Sequence, residues 1–502
     1  MNLFHLIRKS IPAVDSPFIE DLDNRSLTYG DMLTRSGQMA NVLTARGLKP
    51  GDRVAVQVDK SIDNLMLYLG ALRAGVIYLP LNTAYTPTEL DYFVSDAKPA
   101  LIVCDPKRRD TIVEMAHRNG ISWVETLDAR GKGTLSEAAA DLGPDFADIE
   151  RSKGDLAAIL YTSGTTGRSK GAMLTHGNLS SNARTLKEYW RFTSKDVLIH
   201  ALPIFHTHGL FVACNTLMMA GGSMIFMQKF DADRIIDLLP RATSMMAVPT
   251  FYTRLLNNAA LTKEACSGFR LFTSGSAPLL SETHLEFKRR TGHAILERYG
   301  MTETNITTSN PYEGERIAGT VGVPLPDIDL RIVDPDSGRQ LPHGEAGIIE
   351  VRGPCVFSGY WGLPEKTKAE FRPDGFFVTG DIGRFDAKGY LTIVGRAKDL
   401  IISGGFNVYP AEVEAEIDAL AGVVESAVIG CPHPDFGESV TAIVIRQLDC
   451  TLTEEDVLNH LQGRLAKFKV PKKVIFVSEL PRNTMGKVQK NILREQNKDL
   501  YQ

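Results

Sequence analysis

Paired cysteines, long apolar runs and a strong net charge are all missing from this 502-residue chain. Its six cysteines are scattered without a Cys-x-x-Cys pair, which argues against a zinc site and a disulfide framework and suits a reducing compartment. No stretch approaches the roughly 18 apolar residues needed to span a bilayer, and the N-terminus has no apolar run typical of a signal peptide. A net charge of −4 gives no reason to expect nucleic acid or a membrane as partner. We therefore expect a soluble, cytoplasmic protein.

Alternating strand and helix patterns organise the first part of the chain. Residues 53–58 are an apolar strand candidate, and residues 62–74 carry apolar side chains at helical spacing before Gly75. Thr86 and Glu89 are spaced as a capping box, with proline at the first helical position. Strands that alternate with helices predict a parallel sheet with both faces covered.

The pattern changes twice toward the C-terminus. From about residue 321, short β runs separated by Asp-Gly and Lys-Gly turns predict an antiparallel subdomain. The last hundred residues are α+β, with a helix predicted at 453–465 and a hinge near Lys398. We predict an α/β and α+β multidomain protein. Its large N-terminal domain spans 1–396, with a β-rich part at about 321–396, and its small domain spans 397–502.

A glycine-rich stretch, Tyr-Thr-Ser-Gly-Thr-Thr-Gly-Arg-Ser-Lys-Gly at 161–171, carries the strongest chemical pattern. It joins two apolar strand candidates, so its backbone N–H groups are free to close on an anion. Hydroxyl groups and a lysine add hydrogen-bond donors and positive charge, so the stretch is predicted to bind a polyphosphate. The predicted phosphate-binding residues are Thr162, Ser163, Gly164, Thr165, Thr166, Gly167 and Lys170.

This interpretation has two alternatives. The stretch is not a Walker loop, because Ser169 stands where the second glycine of Gly-x-x-x-x-Gly-Lys-Ser/Thr is required. A mobile polar hairpin without a ligand is the simpler alternative, and the composition of eleven consecutive residues makes it the minority interpretation.

The stretch at 161–171 resembles the phosphate loop of the acyl-adenylate-forming superfamily, which includes acyl- and aryl-CoA synthetases, peptide-synthetase adenylation domains and beetle luciferases. Further motifs extend this resemblance over nearly the whole chain, which is most similar to malonyl-CoA synthetases. The resemblance implies an acyl-adenylate-forming fold with a large N-terminal domain of layered α/β sheets plus a β subdomain, and a small mobile C-terminal α+β lid.

Tyr299-Gly-Met-Thr-Glu303 offers a carboxylate beside a hydroxyl, and Mg²⁺ prefers one or two carboxylates completed by phosphate oxygens and water. The resemblance implies that Thr302 contacts phosphate, that Glu303 binds Mg²⁺ and that the Tyr299 ring lies against adenine. Without the loop at 161–171, a strand end with a solvated glutamate would be the better interpretation.

Other segments receive nucleotide roles from the same resemblance. Ser274-Gly-Ser-Ala-Pro278 is similar to the loop that lines the adenine and acyl pockets. Val378-Thr-Gly-Asp381 ends in a carboxylate that suits both ribose hydroxyls, although a structural aspartate in a turn is the common alternative. The implied nucleotide-binding residues are Ser276, Ala277, Pro278, Tyr299, Gly300, Asp381 and Arg396.

The C-terminal segments resemble the moving parts of CoA synthetases. Gly404 and Gly405 are implied walls of the tunnel for the pantetheine arm of CoA, with an ordinary loop as the alternative. Lys487, which follows Gly486, is implied to bridge the acid and the α-phosphate of ATP during adenylation, where its ammonium compensates developing charge. A lysine acyltransferase acting on Lys487 is a further implied partner, because acylation removes that charge.

The acid is predicted mainly from Arg298, which precedes Tyr299 where many relatives have a small residue. A guanidinium is unfavourable in a pocket for a fatty or aryl chain but can hold a second carboxylate by two hydrogen bonds. Ser276 and His206 are the predicted helpers. The alternative is that Arg298 pairs with a protein carboxylate.

The expected reaction joins malonate, with methylmalonate as a second acid, to coenzyme A through an acyl-AMP, releasing AMP and pyrophosphate. ATP, Mg²⁺ and CoA are the implied cosubstrates and cofactor. A CoA ligase for another small acid, a carrier-protein loading enzyme, a luciferase-like oxidase, and a nucleotide-binding sensor or ATPase remain as alternatives. A sensor or ATPase would release ADP or phosphate.

Overall fold

A computed structural model describes residues 2–23, 25–162, 169–403, 406–483 and 486–501. The strands within these ranges are β1 Pro17–Asp21, β2 Ser26–Thr28, β3 Arg53–Gln57, β4 Ile77–Pro80, β5 Leu101–Cys104, β6 Trp123–Thr126, β7 Leu156–Thr162, β8 Lys170–Thr175, β9 Val197–His200, β10 Ser223–Phe226, β11 Ser244–Ala247, β12 Leu271–Ser274, β13 Leu296–Met301, β14 Asn305–Ser309, β15 Val323–Pro324, β16 Asp329–Val333, β17 Gly347–Arg352, β18 Phe377–Phe385, β19 Leu391–Arg396, β20 Ile401–Ser403, β21 Phe406–Val408, β22 Val423–His433, β23 Gly437–Arg446 and β24 Lys473–Phe476.

Helices precede, separate and follow these strands. They are α1 Leu3–Lys9, α2 Tyr29–Ala45, α3 Ile62–Ala74, α4 Pro87–Ala97, α5 Arg109–Arg118, α6 Thr134–Ala140, α7 His176–Tyr189, α8 Thr216–Ala220, α9 Ala232–Leu238, α10 Pro249–Leu256, α11 Ser281–Thr291, α12 Pro364–Glu370, α13 Pro410–Asp418, α14 Glu454–Leu461 and α15 Lys490–Gln496. A π-helical stretch, His208–Asn215, leads into α8. Throughout the described residues, every helix is too short or too polar to cross a membrane.

Two large sheets form the N-terminal domain. One has the order β6-β5-β3-β4-β7-β8 and the other β15-β14-β13-β12-β11-β9-β10-β1-β2. Neighbouring strands from β3 to β6, and from β9 to β13, pair in parallel, as the alternation with helices predicted. Leu198 and Ile199 belong to different apolar clusters because they face opposite sides of β9. The sheets are therefore covered on both faces, in layers.

The helix predicted at 62–74 is confirmed, and its ends show why it forms there. Ser61 accepts a hydrogen bond from the backbone N–H of Asn64, and Gly75 ends the helix at a φ of 68°. The capping box of α4 is also present, with Thr86 and Glu89 bonded to each other's backbone.

The C-terminal third contains two smaller sheets. The antiparallel subdomain is β16-β17-β18-β19, and the small domain is built on β21-β20-β23-β22 with β24 beside β23. The predicted helix at 453–465 is too long. It ends at Leu461 because Gln462 is extended and Gly463 adopts a φ of 80°. The chain thus consists of a large N-terminal domain and a small C-terminal α+β domain.

Candidate active site

The glycine-rich stretch lies between two paired strands, as predicted. β7 and β8 form an antiparallel hairpin in which Thr162 and Lys170 are opposite each other. The Thr162 hydroxyl donates to the Lys170 carbonyl at 3.4 Å, and Tyr92 of α4 donates to the Ser169 carbonyl at 2.9 Å. Both ends of the loop are thus anchored. Five predicted phosphate ligands lie outside the described residues: Ser163, Gly164, Thr165, Thr166 and Gly167.

Lys170 points back toward the protein. Its Nζ lies 3.2 Å from Oε1 of Glu370, at the end of α12, and 4.2 Å from the centroid of the Tyr360 ring. The side chain is about one-fifth exposed, so a ligand in the loop can still reach it.

Glu303 occupies the turn between β13 and β14, beside the half-buried Thr302. Its carboxyl group is buried and lies 3.0 Å from the Tyr360 hydroxyl. Burial raises the pKa of Glu303, and its hydrogen bonds and the charges of Arg396 and Lys170 partly oppose that shift.

The described residues include no cluster of three or more acidic, histidine or cysteine side chains that could hold a metal ion. One hard carboxylate nevertheless fits Mg²⁺, which can take its remaining ligands from phosphate oxygens and water. The donor set around Glu303 is therefore suited to a nucleotide-borne magnesium ion.

Tyr299, Asp381 and Arg396 form one hydrogen-bonded group. The Tyr299 hydroxyl donates to Oδ2 of Asp381 at 2.6 Å, and Nε of Arg396 lies 2.8 Å from Oδ1. Asp381 and Arg396 are opposite each other across β18 and β19. Burial and the Asp381 carboxylate raise the pKa of Tyr299, so the phenol stays protonated. Gly300 has a different local role: a Cβ there would lie 1.8 Å from the Asn305 carbonyl oxygen.

Lys487 belongs to a loop of the small domain that touches the large domain. A Cβ on the neighbouring Gly486 would lie 3.2 Å from the Thr250 side chain at the start of α10. The Lys487 side chain keeps access to solvent. Desolvation by the surrounding protein, together with the Arg396 charge, lowers the pKa of Lys487 to about 8, against the opposing effect of Asp381 and Asp399.

Ion pairs hold the segments around Lys487. Arg482 pairs with Glu425, and Lys490 pairs with Glu414 at 2.5 Å, so the segments on both sides of Lys487 are tied to the small domain. Farther along, Arg494 pairs with Asp399, the residue after Lys398. Lys398 itself lies in the 3₁₀ turn Ala397–Asp399 between β19 and β20. The predicted pantetheine residues, Gly404 and Gly405, lie outside the described residues.

The loop after β12 carries Ser276, Ala277 and Pro278. Ser276 has a φ of 72°, a left-handed conformation that is unfavourable for any residue with a Cβ. Its hydroxyl lies 3.2 Å from Nδ1 of His208. A strained residue that reaches a buried histidine is a common sign of a functional constraint.

Arg298 lies on β13 with only 4% of its surface exposed. Among the residues that the structure describes, no carboxylate forms an ion pair with it, and its Nε and Nη2 atoms have no hydrogen-bond partner. Desolvation lowers the pKa of Arg298 to about 9. The described part of the chain therefore contains no carboxylate that acts as a counter-ion for Arg298, which was the alternative to a substrate carboxylate.

His208 is a site residue that the sequence argument missed. It is buried, its Nε2 atom has no partner among the described residues, and its backbone N–H donates to Nδ1 of His206 at 3.1 Å. Burial and the nearby Arg298 charge lower the pKa values of both histidines, that of His206 to about 4. A buried guanidinium therefore lies near two imidazoles that stay neutral.

Comparisons with known proteins give a consistent family. The model of the AMP-binding enzyme family matches residues 10–361, and that of the AMP-binding enzyme C-terminal domain matches residues 412–487. A feruloyl-CoA synthase from Amycolatopsis sp is 36% identical over 93% of this chain and 94% of its own. A malonate–CoA ligase from Arabidopsis thaliana is 33% identical over 93% of this chain and 81% of its own.

Solved structures of MatB from Rhodopseudomonas palustris are 60% identical to this chain. The alignment covers 100% of this chain and 99% of the MatB chain. The TM-score is 0.98 for the ATP-bound form and 0.87 for the apo form. The arrangement described here is therefore closer to that of the ATP-bound relative.

Proposed function

The chain belongs to the AMP-binding enzyme family, and from this membership we propose that it ligates malonate to coenzyme A in an ATP-dependent reaction through malonyl-AMP. The observation that carries the choice of acid is Arg298, a buried guanidinium with no described ion-pair partner in the acyl pocket. The malonate–CoA ligase of Arabidopsis thaliana supports the same choice of acid, and the ATP-bound MatB structure of Rhodopseudomonas palustris supports ATP as the nucleotide.

In the first step, one malonate carboxylate attacks the α-phosphate of ATP and pyrophosphate leaves. We assign the second carboxylate to Nε and Nη2 of Arg298, with Ser276 and the histidines at 206 and 208 around it. Lys487 supplies an ammonium between the reacting carboxylate and the α-phosphate, where negative charge builds up.

The nucleotide is held by the phosphate loop, Thr302, Lys170 and the Tyr299–Asp381–Arg396 group. Glu303 would hold Mg²⁺, which when bound neutralises phosphate charge. Asp381 has both oxygens engaged, by Tyr299 and Arg396, and is therefore oriented in advance for the ribose hydroxyls.

In the second step, the CoA thiol attacks the acyl carbon and AMP leaves. We place the domain boundary between residues 396 and 397 and the hinge at Lys398, because the turn Ala397–Asp399 joins strands of two different sheets. Rotation there would withdraw Lys487 and bring Gly404 and Gly405 toward the acyl group. Control by acylation of Lys487, and a cytoplasmic location, remain predictions from the sequence.

The test supplies the purified protein with ATP, MgCl₂, CoA and one acid at a time: malonate, methylmalonate, acetate, propionate or ferulate. AMP, pyrophosphate and the acyl-CoA are measured by chromatography. We expect equimolar AMP and malonyl-CoA, with acetate and propionate slower by about 30-fold or more, since they leave Arg298 unpaired. A preference for a monocarboxylate would reject malonate. Release of ADP or phosphate instead of AMP would reject the reaction class.

Ferulate tests the second candidate function, because the feruloyl-CoA synthase of Amycolatopsis sp has a similar identity to this chain as the Arabidopsis thaliana malonate–CoA ligase. An aromatic acid would have to lie beside the unpaired Arg298 cation without supplying a second charge. We therefore expect no feruloyl-CoA above the background without enzyme.

A further inference from the structure

Tyr360 lies between two carboxyl groups, those of Glu303 and Glu370, which are far apart in the sequence. Its hydroxyl lies 3.0 Å from Oε1 of Glu303 and 2.8 Å from Oε2 of Glu370, and only 3% of the residue is exposed. The ring of the same residue lies under the ammonium of Lys170, at 4.2 Å. One side chain therefore touches the carboxylate assigned to the metal and the cation assigned to the phosphates.

The backbone around Tyr360 ties the same parts together. The N–H of Phe357 donates to the Glu303 carbonyl at 2.7 Å, and that of Trp361 donates to the Gly171 carbonyl at 2.8 Å. Between them, the N–H of Met173 donates to the Gly359 carbonyl at 2.9 Å. The segment 357–361 thus fastens β8, which begins at the end of the phosphate loop, to the turn that carries Glu303.

Glu370 is the ion-pair partner of Lys170 among the described residues, at 3.2 Å. The same oxygen of Glu370 lies 2.9 Å from Nζ of Lys366, one helical turn earlier in α12. Glu370 therefore has a second cation available when Lys170 leaves, whereas Lys170 has no second described carboxylate. The ion pair between Lys170 and Glu370 can therefore break without leaving the Glu370 carboxylate unpaired.

We propose that Tyr360 is a positioning residue that fixes Glu303 for the metal of the nucleotide, and that Glu370 is an internal anion that holds Lys170 until the nucleotide phosphates replace it. On nucleotide binding, Lys170 exchanges one anionic partner for another, and Lys366 keeps Glu370 neutralised. The proposal rests on the Mg·ATP part of the proposed function and is independent of the choice of acid.

The experiment measures nucleotide binding by isothermal titration calorimetry without any acid or CoA, using ATP with MgCl₂ and ATP with EDTA as the two probes. Tyr360→Phe keeps the ring against Lys170 and removes only the hydroxyl. We expect it to weaken Mg·ATP binding by about tenfold, the effect of losing one hydrogen bond to a charged group. Binding of ATP in EDTA should be unchanged, because Glu303 then has no metal to hold.

Glu370→Gln tests the second half, with Glu365→Gln as the matched control. Glu365 lies on the same helix, is exposed and forms no described ion pair. Glu370→Gln should tighten ATP binding in EDTA by about threefold to fivefold, because Lys170 no longer has to leave a charged partner. Glu365→Gln, which changes the net charge equally, should have no effect.

Several outcomes overturn the proposal. Equal loss of affinity with and without Mg²⁺ in Tyr360→Phe, or no loss, would show that the hydroxyl does not act through Glu303. Unchanged or weaker binding in Glu370→Gln would show that its pair with Lys170 is only structural. Thermal melting checks folding. A Tyr360→Phe variant that does not fold would overturn the Tyr360 half, because the hydroxyl would then be required for stability, and Glu370→Gln would still decide the other half. Inactivity on malonate with these shifts intact would reject the acid and not this proposal.

Discussion

Replacement of Arg298 gives the most informative test of the proposed substrate, because it should lower the activity on malonate but raise the stability of the protein. Arg298→Ala should lose most activity on malonate and keep ATP binding. Arg298→Met should in addition make the substrate-free protein more stable. A buried arginine that merely held the fold together would show loss of stability instead.

The size of the activity loss follows from the geometry. Nε and Nη2 of Arg298 have no partner among the described residues, so a bound carboxylate can accept two charge-assisted hydrogen bonds there. Removing one partner of a buried charge pair costs roughly 2–5 kcal/mol. At about 1.36 kcal/mol for each tenfold, kcat/KM for malonate should fall by roughly 30-fold to 5,000-fold.

The stability gain follows from the missing counter-ion. Burial lowers the pKa of Arg298 to about 9, so the guanidinium stays charged at neutral pH but is less stable in the protein than it would be in water. Replacing the buried charge by the apolar methionine should raise the free energy of unfolding by about 1–4 kcal/mol. Arg73 is the matched control, equally buried but 2.6 Å from Asp148, so Arg73→Met should destabilise the protein.

The assay combines pyrophosphate release at varied malonate concentrations with urea unfolding in the absence of ligands. Malonate, added with a non-hydrolysable ATP analogue, should raise the melting temperature of the parent protein but not of Arg298→Met. Unchanged malonate kinetics in Arg298→Ala would refute the assignment. Destabilisation of Arg298→Met as large as that of Arg73→Met would refute the claim that Arg298 lacks a partner in the protein.

Three more predictions concern the neighbours of Arg298 and the moving domain. Gly275→Ala places a Cβ 2.4 Å from Nη1 of Arg298, so the guanidinium must shift and kcat/KM for malonate should fall on the order of 100-fold. Calorimetry should show unchanged binding of Mg·ATP. Equal losses of malonate activity and Mg·ATP affinity would contradict the placement of Arg298 beside the acid. The pKa of Lys487 near 8 means that the ammonium is lost above that pH, so kcat/KM for adenylation should decline as pH rises through about 8. Thioester formation from synthetic malonyl-AMP, and adenylation by Lys487→Arg, should lack this decline, and a wild-type profile flat to high pH would argue against the role. Lys398→Pro fixes φ in the turn between β19 and β20, so stopped-flow traces should show adenylation without thioester formation; both steps intact would place the hinge elsewhere.

Local features of the fold were predictable because they depend on near neighbours in the chain. The helix at 62–74 and the capping box at Thr86 follow from apolar spacing and from side chains within one turn. The pairing of β1 with β10, about 200 residues later, has no sequence pattern of its own. Such pairings depend on which strands the rest of the domain leaves unpaired.

In the candidate site, too, features that depend on near neighbours in the chain were predictable, whereas those that depend on distant segments were not. Arg298 was identifiable as an unusual residue before a motif, but its lack of a protein partner depends on everything that folds around β13. Of the two histidines at 206 and 208, the sequence favoured His206, whereas His208 reaches Ser276 because the π-helical stretch begins there. Tyr360 and Glu370 belong to no chemical pattern, and only the crossing of segment 357–361 over β8 brings them to Glu303.

The charges of the cleft explain why a dicarboxylate suits it better than a monocarboxylate. Arg396 is neutralised by Asp381, and Lys170 is neutralised by Glu370. In the described part of the chain, neither Arg298 nor Lys487 has a carboxylate within ion-pair distance. In the proposed function, malonate supplies one carboxylate for each of these cations, the reacting one for Lys487 and the other for Arg298. Acetate would pair with Lys487 alone and leave a buried guanidinium unpaired, a penalty of several kcal/mol that malonate removes.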